Sequence, residues 1–151
     1  RSGETRNRDV VTQTMDIKPF SDAEYETLPD LFLLLEPHLQ RSEIMERCTE
    51  MRASGWFCIG AYGDALQAMA GISLRTHLFS GRVAFVENVV VLPEFRGRGL
   101  GQMLMAWIEH YARERGCRMV TLDAYQANLP ARAFYERLGY DPRGVHFVRE
   151  L

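Results

Sequence analysis

Lysine is nearly absent from this 151-residue chain: Lys18 is the only one. A phosphate loop of the Gly-Lys-Ser/Thr type therefore has no residue to build it. Cysteine is scarce and odd in number, at 48, 58 and 117, without the spacing of a metal knuckle or a redox pair. Inert thiols in a reducing compartment are the expected reading, so a cytoplasmic location is expected. No apolar run approaches the ~20 residues that span a bilayer, and the first twenty residues hold no apolar signal core. A strong charge of either sign is also lacking. The formal net charge is -2, which excludes a basic nucleic-acid binder and gives no reason to expect an anionic membrane as partner. The four histidines, His38, His77, His110 and His146, show no ligand spacing, so no metal is expected.

What remains is an ordinary globular composition, 46% hydrophobic and 25% charged, of a length that suits one domain. Residues 1–13 are polar and charged and are expected to form a flexible tail. The single domain is expected over 14–151.

The most informative stretch runs from Val89 to Gly101. Apolar Val89, Val90 and Val91 read as a strand that enters a loop with Arg96, Gly97, Arg98, Gly99 and Gly101. A helix follows, with Leu100, Met103, Leu104, Trp107, Ile108 and Tyr111 at helical spacing on one face. Glycines allow backbone N–H groups to converge without Cβ obstruction. The helix start behind them adds partial positive charge, making a socket for a diphosphate-sized anion. No acid occupies the first helical turn, the place acids usually favour, so a ligand is expected to supply the negative charge. The dinucleotide fingerprint does not fit. Its third glycine would fall on Gln102 or Leu104, depending on the starting glycine.

Elsewhere the pattern gives a strand over 15–20 and a helix capped at Ser21 or Asp22, with Glu24 near the capping-box place and an interruption around Pro29. A second helix starts near Ser42 and ends at Ser54-Gly55. Strands follow over 56–62, 65–78 and 83–92, then the glycine loop and its helix to Arg115-Gly116. A strand over 119–124, a helix over Pro130 to Leu138 that Asn128 can cap, and a short last strand over 145–148 follow. The order β-α-α-β-β-β-α-β-α-β describes one mixed α/β domain.

Two motifs carry a family resemblance. The first is Arg96-Gly97-Arg98-Gly99-Leu100-Gly101. The second is Asn128-x-x-Ala131-x-Ala133-Phe134-Tyr135-Glu136-x-Leu138-Gly139-Tyr140. In their order, with a helix and a strand between them, they resemble the GNAT superfamily of Gcn5-related N-acetyltransferases, as does the order of elements from about Met15 onward. The resemblance implies a GNAT acyl-CoA fold and transfer of an acetyl group from acetyl-CoA directly to a primary amine of a small molecule or protein. It implies a diphosphate grip by backbone N–H groups from Gly97 to Gln102, Leu100 included, with Arg96 and Arg98 beside it. Pantetheine would pair with Val89, Val90 and Val91, and an N–H near Val91 would face the thioester oxygen. Asn128 would bond the coenzyme, although capping its own helix is an equal reading.

Tyr135 is the expected acid for the leaving thiolate, because it lies at the edge of the Phe134–Leu138 stripe. Glu87 is the expected base, the one carboxylate in an apolar strand, and simple alternation puts it on one face with Val89 and Val91. Family acceptor sites draw on the region from Ser21 to Ser54, where Glu36, Glu43, Glu46 and Glu50 hint at a cationic acceptor, with Arg41, Arg47 and Arg52 interleaved and offsetting much of that charge. Many members of the family pair as dimers, which leaves a homodimer open. The competing reading is a non-catalytic acyl-CoA-binding module on the same fold, which would need neither Glu87 nor Tyr135.

Overall fold

The computed structural model describes residues 15–151; the tail expected over 1–13 lies outside them. A five-stranded sheet in the order β1-β2-β3-β4-β5 forms the centre. Its strands are β1 (Asp16–Pro19), β2 (Phe57–Tyr62), β3 (Leu66–His77), β4 (Gly81–Val91) and β5 (Met119–Leu122). The first three pairings are antiparallel, whereas β4 and β5 run parallel. The helices are α1 (Leu28–Phe32), α2 (Arg41–Ala53), α3 (Leu100–Glu114) and α4 (Leu129–Arg137).

Two apolar clusters cover the two faces. On one face α3 buries Leu100, Leu104, Met105, Ile108 and Ala112 against Ile59, Ala61, Ala70, Ile72, Ala84 and Val86 of the sheet. Positions 100, 104, 108 and 112 are spaced by four, so they share one helix face; fully burying each large side chain is worth about 1.5–3 kcal/mol. Met105 occupies the core place that the spacing had given to Met103, which is 38% exposed. On the other face, α1 and α2 bring Leu28, Leu31, Phe32, Ile44 and Cys48 onto Trp56, Cys58, Met69 and Val90.

The N-terminal half begins with Ser21, whose backbone N–H and hydroxyl both donate to Glu24 Oε1, at 2.9 and 2.8 Å. A 3-10 turn over Asp22–Thr27 then feeds α1. Pro29 stands in the first turn of α1, where its missing N–H costs no helical bond; it starts a helix rather than interrupting one. Gln40 is the N-cap of α2, two residues before the start expected near Ser42, and its backbone N–H donates to Glu43 Oε2 at 2.9 Å.

The last strand expected over 145–148 does not form. Residues 141–151 carry no regular structure, and Val145, Phe147 and Val148 are 76%, 92% and 76% exposed. Pro142 lacks a ladder donor, and β propensity is realised only against a neighbouring strand. Among the described residues no strand pairs with this segment, whose His146 Nδ1 lies 3.4 Å from Asp123 Oδ2.

Two features of β4 position the site. Its pairing with β5 covers only Val83–Val86 against Met119–Leu122, so β4 continues from Glu87 to Val91 without β5 beside it. Asn88 adopts φ 61, and the β3 register jumps there, from Gly71↔Glu87 to Met69↔Val90. Ala70 thus faces two residues of β4, a β-bulge. Asparagine is one of the few side chains that tolerate this left-handed conformation.

Candidate active site

On the α3 face, beside the part of β4 that β5 does not cover, lies a cavity of about 610 Å³. Its walls are Val89 and Val91 of β4, the loop from Phe95 through Gly97 and Gly99, the start of α3 from Leu100 to Gln102, and Phe134, Tyr135 and Leu138 of α4. Gly97 and Gly99 take φ 75 and 78, and Gly99 is the N-cap of α3. An added Cβ at either would meet nothing within 4 Å. Glycine is required there by backbone angle, not by crowding. Gly101 differs, since its Cβ would stand 3.1 Å from Phe134 Cζ; here the missing side chain lets α3 and α4 close on each other.

The first turn of α3 contains no acid, and its opening N–H groups lack helical partners. The α3 start therefore presents partial positive charge to the cavity. Arg96 donates from Nε to the Val91 carbonyl at 3.2 Å, which ties the loop back to the strand. Arg98 rests over the Phe95 ring, 5.4 Å from its centroid. It is not among the cavity walls.

Tyr135 is half-buried in the cavity wall, with its ring edge-on to Phe134 and Tyr140 at 5.1 and 6.0 Å. Phe134 and Leu138 beside it are likewise half-buried rather than core. Burial pushes the Tyr135 phenol above its ordinary value of 10, because the phenolate would lose solvation. Asn128 does cap α4, its Oδ1 accepting from the Ala131 N–H at 3.2 Å; it stands apart from the cavity walls.

Glu87 is on the other side of the sheet. The bulge at Asn88 breaks the alternation, so Glu87 shares a face with Val90 and Met69, while Val89 and Val91 face the α3-side cavity. The expectation of one common face for 87, 89 and 91 is thereby corrected. Val90 is itself buried beneath α1 and α2, so only its backbone could touch a ligand. Glu87 lines a second cavity, about 280 Å³, together with Glu50, Met51, Ser54, Trp56, Ser73 and Arg75. Arg75 Nη2 donates to Glu87 Oε1 at 2.8 Å. Among the described residues the buried Trp56 indole N–H finds no partner, and its ring packs on Gly71 so closely that a Cβ there would fall 2.3 Å from Nε1.

The sequence reading missed Arg75, Ser73 and Trp56. The register Ser73↔Phe85 and Gly71↔Glu87 places Ser73 and Arg75 near Glu87, and Trp56 arrives by packing on Gly71. The hairpin turn near Ser80-Gly81 was the signal that could have set that register.

Comparison with known proteins agrees with this geometry. The model of the acetyltransferase (GNAT) family matches residues 19–140, and the chain belongs to that family of N-acetyltransferases. An aminoglycoside N(6')-acetyltransferase type 1 of Acinetobacter genomosp. 13 is 28% identical over 145 residues, covering 91% of this chain and 99% of that one. The glucosamine 6-phosphate N-acetyltransferase of Trypanosoma brucei brucei is 43% identical over 58 residues, 38% of this chain and 37% of that one. Among solved structures, the aminoglycoside enzyme AAC(6')-Iy in complex with the bisubstrate analogue CoA-S-monomethyl-acetylneamine superposes with a TM-score of 0.78 at 25% identity. The match covers 91% of this chain and 99% of that one. No described helix is long and apolar enough to cross a membrane.

Proposed function

We propose that the α3-side cavity holds acetyl-CoA and that the cavity around Glu87 admits the primary amine to be acetylated. The observation that carries this reading is the gap between β4 and β5 beyond Val86 and Leu122. The stretch of β4 left uncovered there lines two cavities on opposite faces, Val89 and Val91 one that ends in a helix start without acids and Glu87 the other, which holds its carboxylate.

The diphosphate sits on the N–H groups from Gly97 to Gln102, each charge-assisted bond being worth about 1.5–3 kcal/mol. Pantetheine lies along the backbone of Val89, Val90 and Val91 as an added strand. Arg96 supports the loop, and Arg98 and Asn128 serve the coenzyme's outer part. The amine nitrogen attacks the thioester carbonyl, whose developing oxyanion faces an N–H near Val91. Glu87 takes a proton from the amine, directly or through water. As the C–N bond forms the C–S bond breaks, and Tyr135 gives its proton to the departing sulfur.

Burial suits this acid. A phenol with a raised pKa donates poorly to a solvated thiolate, but the thiolate is born in the same dry groove, where desolvation raises its proton affinity too. A second carboxylate, Glu50, at this cavity favours acceptors with a cationic group, and the protein is proposed to act in the cytoplasm. A homodimer is compatible with this reading and adds nothing to it.

The test is a screen of primary amines with acetyl-CoA, reading free thiol. Neamine, glucosamine 6-phosphate and an aminoalkylphosphonate sample the acceptors of named relatives. Turnover with any amine, lost by about 10²-fold or more in Glu87→Gln, is expected. Tight acetyl-CoA binding with no turnover across the panel would favour the non-catalytic module.

A further inference from the structure

Arg75 lies against Glu87 in a manner the catalytic proposal does not use. In the sheet Arg75 is paired with Val83, Ser73 with Phe85 and Gly71 with Glu87. Directly paired residues share a face, so the Arg75 side chain starts two pairings away from Glu87. It runs over Phe85 to reach it. The guanidinium carbon lies 3.8 Å from the Phe85 ring centroid. Nε reaches Ser73 Oγ at 3.3 Å and Nη2 donates to Glu87 Oε1 at 2.8 Å.

Each contact fixes a different freedom. The ring beneath sets the plane of the guanidinium, a cation–π contact. The Ser73 hydroxyl sets its rotation within that plane. Nη2 then takes one of the two carboxylate oxygens, and no described side chain bonds the other, Oε2. A base oriented by a third group through one of its atoms, with another left for the proton, is the arrangement nucleophilic and acid–base sites reuse.

We infer that Arg75 is the positioning residue of this site: through Phe85 and Ser73 it holds Glu87 Oε1 and presents Oε2 to the acceptor amine. The inference rests on Glu87 being the base. Lysine could replace the charge but not the fork, since its ammonium is a point charge without a planar face to lie on the ring. The bulge at Asn88 belongs to the same device, because without it Glu87 and its neighbours would keep a different order of faces along β4.

The experiment compares Arg75→Met, Arg75→Lys, Glu87→Gln and the Arg75→Met/Glu87→Gln double variant. The acceptor is whichever amine of the panel above turns over fastest. Arg75→Met is expected to lower kcat about 10-fold or more, with KM for acetyl-CoA within about twofold of the parent; Arg75→Lys recovers part of the loss. The double variant falls no further than Glu87→Gln alone, because two residues acting as one unit are not additive. A loss from Arg75→Met that multiplies fully with that of Glu87→Gln would overturn the inference, as would an unchanged kcat. Full recovery in Arg75→Lys would reduce the role to charge alone and sink the orientation argument. Should Glu87→Gln itself keep full activity, it is the base assignment that fails, and the Arg75 role fails with it. Thermal melts of each variant separate a folding defect from these outcomes. If Arg75→Met does not fold, Ser73→Ala, which removes one restraint and no charge, gives the same kcat-against-KM comparison.

Discussion

Glu87 and Val89 stand two residues apart on one strand and face opposite sides of the sheet. The turn between them is made by Asn88 at φ 61, and it gives β4 a carboxylate toward α2 and an apolar wall toward α3. Replacing Asn88 by valine would put a β-branched side chain in a left-handed conformation, at about 1–2 kcal/mol or more. The strand is expected to relieve this by losing the bulge. Unfolding in urea should register the lost stability, and turnover should fall further than stability alone explains.

Tyr135→Phe removes the proposed thiolate acid and little else, since no described group bonds its hydroxyl. The rate of the chemical step should drop by about 10²–10⁴, while calorimetric titration with acetyl-CoA gives nearly the parent affinity. A variant that keeps its single-turnover rate would deprive Tyr135 of the role.

The pH dependence has a definite sign. Burial raises the Tyr135 phenol above 10, so the folded protein holds that proton to higher pH than the unfolded chain does. The stability this contributes is present below pH 10 and is lost as pH rises through the folded value. Any alkaline fall in kcat caused by this group therefore lies above pH 10. It should be absent from the Tyr135→Phe profile.

Gly99→Ala and Gly101→Val test two different demands on glycine. At 99 the strain is in the backbone, φ 78 at a helix start. Acetyl-CoA affinity should weaken about 5–30-fold as the loop adjusts, for a cost of 1–2 kcal/mol. At 101 the strain is a collision with Phe134, whose Cζ would be 3.1 Å from the first added carbon. Overpacking of that kind costs about 1–3 kcal/mol. It should lower the melting temperature and displace α4, and with it Tyr135.

The three thiols should react unequally. Burial pushes the Cys48 and Cys58 thiols up, and the thiolate is the reactive form. Cys117 is only half-buried. A native thiol titration near pH 8 is expected to label Cys117 first, with the other two released only by denaturant.

Much of the site could be read from residue order because its parts are local. The positive φ at Gly97 and Gly99, the helix start behind them and the Asn128 cap each depend on neighbours a few positions away. The face that Glu87 occupies was not legible. Alternation assumes an unbroken strand, and a bulge is decided by cross-strand pairing that a single asparagine does not announce. For the same reason Arg75 went unseen: its meeting with Glu87 depends on hairpin register, twelve residues apart in sequence. The strand expected over 145–148 failed in the opposite way. Val145, Phe147 and Val148 have the right character for a sheet, but character supplies no partner strand.

β4 parts from β5 at Val86 and Leu122, and the two cavities beside β4 lie on opposite faces of the sheet. With acetyl-CoA and the amine placed in them as proposed, the donor would not block the acceptor, and neither would have to leave before its counterpart arrives. Double-reciprocal plots at several fixed concentrations of acetyl-CoA should then intersect rather than run parallel. No acetylated enzyme should accumulate when the amine is withheld.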